Sequence, residues 1–192
     1  MPWEHTRDFK LEVNTIGSYT VFADAANTIL RLLRDNLTPE PIPKPDMIGF
    51  CAPYEKGDFR LTLFLYEIKE YRESTGPSNV PSLSPLKIYL RFLLTAFSSA
   101  DLNNRAVDEA TILGRAMQVL HNQPILRSSA LTGTLAENSE PLRVTLDNLP
   151  FEEIVKLWSF ADVTFKPSVS YTVGPVYLDT MQSMNVNMNM VL

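Results

Sequence analysis

The residues of this chain that could do chemistry are few: two histidines, one cysteine and some closely spaced carboxylates. His5 lies near the N-terminus and His121 falls where a helical pattern ends, so the sequence does not put them together. A histidine at a helix C-terminus meets the negative end of the macrodipole, which makes His121 a capping residue rather than a catalyst. A structural zinc site takes about four ligands, and the chain has no Cys-His cluster. Cys51 has no cysteine to pair with and no histidine beside it to activate its thiol. Free cysteines of that kind behave as small buried hydrophobes. Glu152-Glu153, Asp108-Glu109 and Glu67 with Glu70 are the carboxylate pairs. Adjacent acids on a helix point in different directions and read as a solvated first turn, so none of these pairs is expected to be an acid/base couple. The seven glycines are scattered and build no Walker loop, no Gly-x-Ser-x-Gly and no dinucleotide fingerprint. The expectation is a non-enzymatic chain with no catalytic residue, no cofactor and no metal.

Composition agrees with a folded, non-catalytic domain. The 192 residues are 45% hydrophobic and 20% charged, near the globular average. A domain of this size buries roughly 70% of its unfolded surface and needs no disulfide or metal staple. Seventeen basic against 22 acidic residues give a net charge of −5, with Lys and Arg scattered singly. Nucleic-acid binding wants a concentrated basic face, so it is excluded as a function. No apolar stretch approaches the ~20 residues that span a bilayer, so no membrane insertion is expected. Met1-Pro2-Trp3-Glu4-His5 has neither the charge nor the apolar run of a signal peptide, which points to cytoplasmic synthesis. Fourteen prolines against seven glycines imply many fixed-φ corners between elements.

The elements follow from periodicity. Phe9, Leu11 and Val13 alternate with polar residues in an arm over 1–17. Phe22, Ala26, Ile29, Leu33 and Leu37 share one face of a strong helix that Thr38-Pro39 ends. A proline-rich connector follows, with a short strand expected around Met47 to Cys51. Arg60 to Glu70 is a strand apolar on both faces, with Leu61, Leu63 and Leu65 opposite Phe64, Tyr66 and Ile68, which suits a central position. After a loop, Leu86, Ile88, Leu90, Phe92 and Leu94 face the core while Lys87, Tyr89 and Arg91 look outward, and the two strands form a hairpin. A second helix, about Arg105 to His121, puts Ala106, Ala110, Leu113, Met117 and Leu120 on one stripe. A polar loop around Thr132 to Glu140 precedes a strand in which Leu142, Val144 and Leu146 alternate with Arg143, Thr145 and Asp147. Pro150 then opens a short helix whose buried side is Ile154, Val155, Leu157 and Trp158. Val169, Tyr171 and Val173 belong to a last strand reaching Leu178. The predicted fold is α+β: one domain over 18–180, a mixed, mainly antiparallel sheet with three main helices, between the arm and a tail over 181–192.

Several blocks, taken in order, resemble one family. They are Thr28-Ile29-Leu30-Arg31-Leu32-Leu33-Arg34, then Leu61-Thr62-Leu63-Phe64-Leu65-Tyr66-Glu67-Ile68, and Tyr71-Arg72-Glu73. Next come Pro85-Leu86 and Tyr89-Leu90-Arg91-Phe92-Leu93-Leu94-Thr95-Ala96-Phe97. The most specific is Leu113-Gly114-Arg115-Ala116-Met117-Gln118-Val119-Leu120-His121-Asn122 with Pro124-Ile125-Leu126, and Leu142-Arg143-Val144-Thr145-Leu146 and Leu157-Trp158-Ser159 complete the order. Over roughly 20–178 the chain is similar to the tail-terminator, or cap, proteins of phage-tail-like contractile injection particles, of the antifeeding-prophage and virulence-cassette kind. Its arm before Phe22 is longer than the family's usual start. The second domain of longer members is not expected here, so that domain's contacts are not carried over.

The resemblance implies a structural subunit: a sixfold homo-oligomeric ring that closes the far end of an inner tube and its contractile sheath and stops their polymerisation. The partners it implies are further copies of the chain, the inner tube protein and the sheath protein, in a particle released outside the cell. Ring closure needs a heterologous interface, one patch meeting a different one. Extended arms adding to a sheet edge are a plausible docking device. The interface candidates are Phe9, Leu11 and Val13 in the arm, Tyr89 and Arg91 on the sheet, and Val186, Met188 and Met190, which alternate with asparagines in the tail. Two other readings compete: a baseplate or sheath-adapter ring, and a small-ligand-binding α+β domain with a polar pocket near Thr132 to Glu140.

Overall fold

The computed structural model describes residues 18–71, 85–137, 140–159 and 163–179. Helix α1 (Val21–Leu37) buries Ala26, Ile29, Leu33 and Leu37 as their spacing predicts, with Phe22 packed at the margin of the same core. The strands are β1 (Ile48–Phe50), β2 (Leu61–Glu70), β3 (Leu86–Ala96), β4 (Ile125–Leu126), β5 (Leu142–Asp147) and β6 (Ser168–Leu178). They form one sheet in the order β1-β2-β3-β6-β5-β4, with only β1 and β2 parallel. The fold is the predicted mixed α+β domain, and β2 and β3 make the predicted hairpin in the half of the sheet nearer β1. Helix α2 (Arg105–Asn122) and α1 pack together over one face of the sheet, while α4 (Phe151–Leu157) reaches the other.

The main core lies between α1, α2 and the sheet, where Leu61, Leu63, Leu90, Phe92, Leu94 and Val173 are at most 1% exposed. A second, much smaller core lies on the opposite face, where Leu93, Phe97 and Trp158 are joined by Phe64, Tyr66, Ile154 and Leu157. The two-sided pattern of β2 therefore has a cause: Leu61 and Leu63 serve the first core, Phe64 and Tyr66 the second. The register of β2 against β3 shifts between Leu65 and Glu67, and that of β3 against β6 between Ile88 and Leu90. Beyond them, at the open end of the sheet, Ile68 and Leu86 are exposed rather than buried. In α4, Val155 is likewise 40% exposed, because a seven-residue helix cannot turn every one of its apolar residues inward.

Helix α2 departs most from expectation. Its buried residues are Ile112, Ala116, Val119 and Leu120, while Ala106 and Ala110 face solvent and Leu113 and Met117 are half-buried. Asp108 and Glu109 rotate it. Asp108 pairs with Arg60 at 2.6 Å and accepts a hydrogen bond from the Ser98 hydroxyl. Glu109 pairs with Lys166 at 2.7 Å and accepts the Ser98 N–H. The two carboxylates are thus inward-turned structural anchors, not a solvated first turn.

The expected polar loop after Thr132 contains a helical turn, α3 (Thr134–Glu137), and is fastened to α1. The Asp24 carboxylate accepts from the Thr134 N–H at 3.1 Å and its hydroxyl at 2.7 Å. Fully buried Thr28 bonds Thr132, and Arg31 donates to the carbonyls of Ser129 and Leu131. Between them Gly133 has φ +57, and a Cβ there would land on the Asp24 carboxylate. Gly133→Ala combines left-handed strain with loss of this latch. The expected cost is about 2–3 kcal/mol in urea unfolding, and a change below half of that would show that the latch yields easily.

Candidate assembly surfaces

The sheet's second face divides in two. Toward the Ala96 end of β3 it is covered by α4 and Trp158, whose indole N–H donates to the Ser168 hydroxyl at 3.2 Å. Toward the other end it carries a polar network. Arg91 donates to Glu67 at 2.8 Å and lies 3.6 Å from Asp147. Asp147 in turn accepts from Ser170 and Thr172, and Ser170 also bonds the Tyr66 hydroxyl at 2.7 Å. The hydrogen bond from Arg91 holds the Glu67 carboxyl below the usual range and raises the guanidinium in return, while burial pushes the Tyr66 phenol up. Every charge in this network is paired, so it suits holding four strands in register rather than proton transfer.

Of the predicted interface residues, Arg91 sits in that network and is half-buried. Tyr89 is also half-buried, edge-on to Tyr71 at 6.0 Å and against Gly174, where a Cβ would meet its ring. Phe9, Leu11, Val13, Val186, Met188 and Met190 lie outside the described residues. Cys51 is half-buried, and burial raises its thiol pKa, the opposite of what a nucleophile needs. Among the described residues no group of three or more His, Cys, Asp or Glu could hold a metal, and no helix is long and apolar enough to cross a membrane.

The sheet ends in two very short strands. At β1 the Ile48 N–H bonds the Pro45 carbonyl, and the Ile48 carbonyl accepts two bonds from Arg34, at 2.6 and 3.1 Å. That edge is therefore blunted as a template for a further strand. At β4 a cavity of about 380 Å³ opens between α1 and residues 123–130, with Arg31, Asp35 and Gln123 on its walls. The loop where a polar pocket was expected is instead closed against α1 by Asp24 and Thr28.

Two apolar surfaces went unnoticed in the sequence. One is formed by Phe151 and Val155 of α4 with Phe165, whose ring stands edge-on to Phe151 at 5.7 Å and to Trp158 at 5.8 Å. The other is the outward ridge of α2, with Val107 69% exposed and the preceding Leu102 79% exposed. The signal for the first was present. Apolar residues at 151, 154, 155, 157 and 158 occupy more of a short helix's circumference than one buried face can take.

No curated protein matches the chain in sequence. Among solved structures its fold is similar to the sheath/tube terminator, in the extended state, of PVC, an extracellular contractile injection system (TM-score 0.52, 16% identity, covering 82% of this chain and 56% of that one). It is equally similar to the anti-feeding prophage cap, the AFP tube terminating cap (TM-score 0.52, 16% identity, covering 82% and 55%). The chain thus spans little more than half the length of either, and at this identity the likeness is one of fold. In sequence, residues 24–189 match the family model for the Pvc16 N-terminal domain. That span takes in every described element from α1 to β6 except the first three residues of the helix, and the chain belongs to the Pvc16 N-terminal domain family.

Proposed function

We propose that this chain is a cap subunit of a contractile injection particle, forming a sixfold ring that closes the far end of the inner tube and sheath and ends their polymerisation. The observation that carries this is the family match over 24–189 on a fold shared with two tube terminators. The ion pairs, the Asp24 latch and the Arg91 network support it, since all of them hold the scaffold together. In this reading the domain spans 18–180. The arm over 1–17, with Phe9, Leu11 and Val13, and the tail over 181–192, with Val186, Met188 and Met190, supply contacts to tube and sheath. Tyr89 and Arg91 add contacts from the sheet. The β1 edge is poorly receptive to an incoming arm, because Arg34 and Pro45 occupy Ile48. The subunit is made in the bacterial cytoplasm and leaves with the particle.

Electron microscopy of particles assembled with and without the chain tests this. Overlong, ragged tubes and unstable sheaths are expected in its absence, with a sixfold ring at one end in its presence. An unchanged length distribution would overturn the reading.

A further inference from the structure

The first half of α2 is turned against its own hydrophobic pattern. Asp108 and Glu109 point inward to Arg60 and Lys166, and Val107, Ala110 and Gly114 form the ridge that faces solvent. A solvent-facing ridge ordinarily carries charge. This one carries none, and the exposed charges beside it on the helix are Arg105 and Arg115. The exposed acid just before the helix, Asp101, is bonded to Asn104. On the other face of the sheet, Phe151 is 64% exposed, Val155 40% and Phe165 39%. The exposed acids beside that patch are Glu152 and Glu153, with Lys156 in the last turn of α4. Single exposed apolar residues need no explanation, but contiguous apolar patches with charged rims mark contact surfaces.

Among the described residues, one chain therefore presents two uncovered apolar surfaces, one basic-rimmed and one acid-rimmed. We infer that they cover each other between copies: the Phe151–Val155–Phe165 patch of one subunit seats on the Val107–Ala110–Gly114 ridge of the next, with Glu152 and Glu153 toward Arg105 and Arg115. The occupant is a second copy of this chain, because the complementary surface is on the same molecule. A contact between two different patches is heterologous and repeats head to tail. Its closure into a ring rests on the cap reading; the contact itself does not. Gly114 is where the bodies approach closely, for within the subunit a Cβ at Gly114 meets nothing within 4 Å. Without such a neighbour an exposed mid-helix glycine would only weaken α2.

The test is sedimentation of the full chain at high micromolar concentration, where oligomers larger than a dimer are expected. Gly114→Glu adds a better helix former, so thermal unfolding of the subunit is retained or improved, yet it sets an acid against Glu152 and Glu153. It and Phe151→Ala should each lower the association constant by about thirtyfold, the scale of an aromatic hot spot. Arg115→Glu should weaken association and Glu152→Lys on the same chain should restore it. In a Cys51→Ala background, mixing Val107→Cys and Phe151→Cys variants should give a disulfide between the two kinds of subunit. Preferential coupling of Val107→Cys subunits to each other would overturn the head-to-tail contact. Oligomers indifferent to all these changes, or a wild-type chain that stays monomeric, would also overturn it, while the tube-length experiment would still decide the cap reading by itself.

Discussion

Trp158→Ala should cost about 3–5 kcal/mol of folding stability, read as a shift of the urea midpoint. The size follows from how little surrounds it. Among the described residues that core has three buried members, Leu93, Phe97 and Trp158, with Phe64, Tyr66, Ile154 and Leu157 only partly buried around them, so losing the indole removes much of its buried volume. The substitution also removes the indole donor to Ser168. Ser168 keeps its bond with Thr95 at 2.8 Å, so its hydroxyl is not orphaned. Trp158→Phe retains most of the volume and should lose about 1–2 kcal/mol, from the hydrogen bond and the smaller ring. If Trp158→Ala instead left stability within about 1 kcal/mol of wild type while abolishing capping, Trp158 would belong to an interface and not to the core.

Asp108→Ala should be nearly as damaging, at about 2–4 kcal/mol, because it strands a charge rather than opening a hole. The Arg60 side chain is 11% exposed and, among the described residues, its guanidinium would keep the bond that its Nε donates to the Phe97 carbonyl at 2.9 Å. The Ser98 hydroxyl loses its acceptor at the same time. An isosteric apolar pair removes both charges together, so Arg60→Met with Asp108→Leu should recover much of the loss. A double variant no better than Asp108→Ala alone would mean that Arg60 acts chiefly through the Phe97 carbonyl.

These two residues also mark where the sequence was legible and where it was not. Spacing alone puts Trp158 on a buried helix side, and α1, the β2–β3 hairpin, β5 and β6 are legible in the same way, since apolar residues recurring at one period have one simple solution. Spacing alone reads Asp108 as a solvated acid. Nothing in a window around it shows that Arg60 and Ser98 will be adjacent, and the pairing overrides the stripe through Ala106 and Ala110. The helical turn at Thr134 was hidden for a related reason: its partners, Asp24 and Thr28, lie more than a hundred residues away. Strand β4 is two residues long and carries no period at all. The candidate contacts at Tyr89 and Arg91 were placed on the sheet face where they are found, but Glu67 and Tyr71 as their neighbours come only from the strand register.

The order β1-β2-β3-β6-β5-β4 has a consequence for how the chain is made. Its first three described strands are complete once residue 96 has been synthesised, yet the neighbour of β3 on its far side is β6, the last described strand, ending at Leu178. Throughout the intervening elongation β3 is an open edge eleven residues long, with Leu90 and Phe92 toward one face and Leu93 toward the other. Such an edge is a template for pairing with any other unfinished chain, and the risk rises where many ribosomes share one message. A stop codon or a protease cut before Ser168 would leave that state permanent. Truncated products should therefore aggregate rather than fold as smaller domains, and chaperone demand should fall abruptly when β6 emerges.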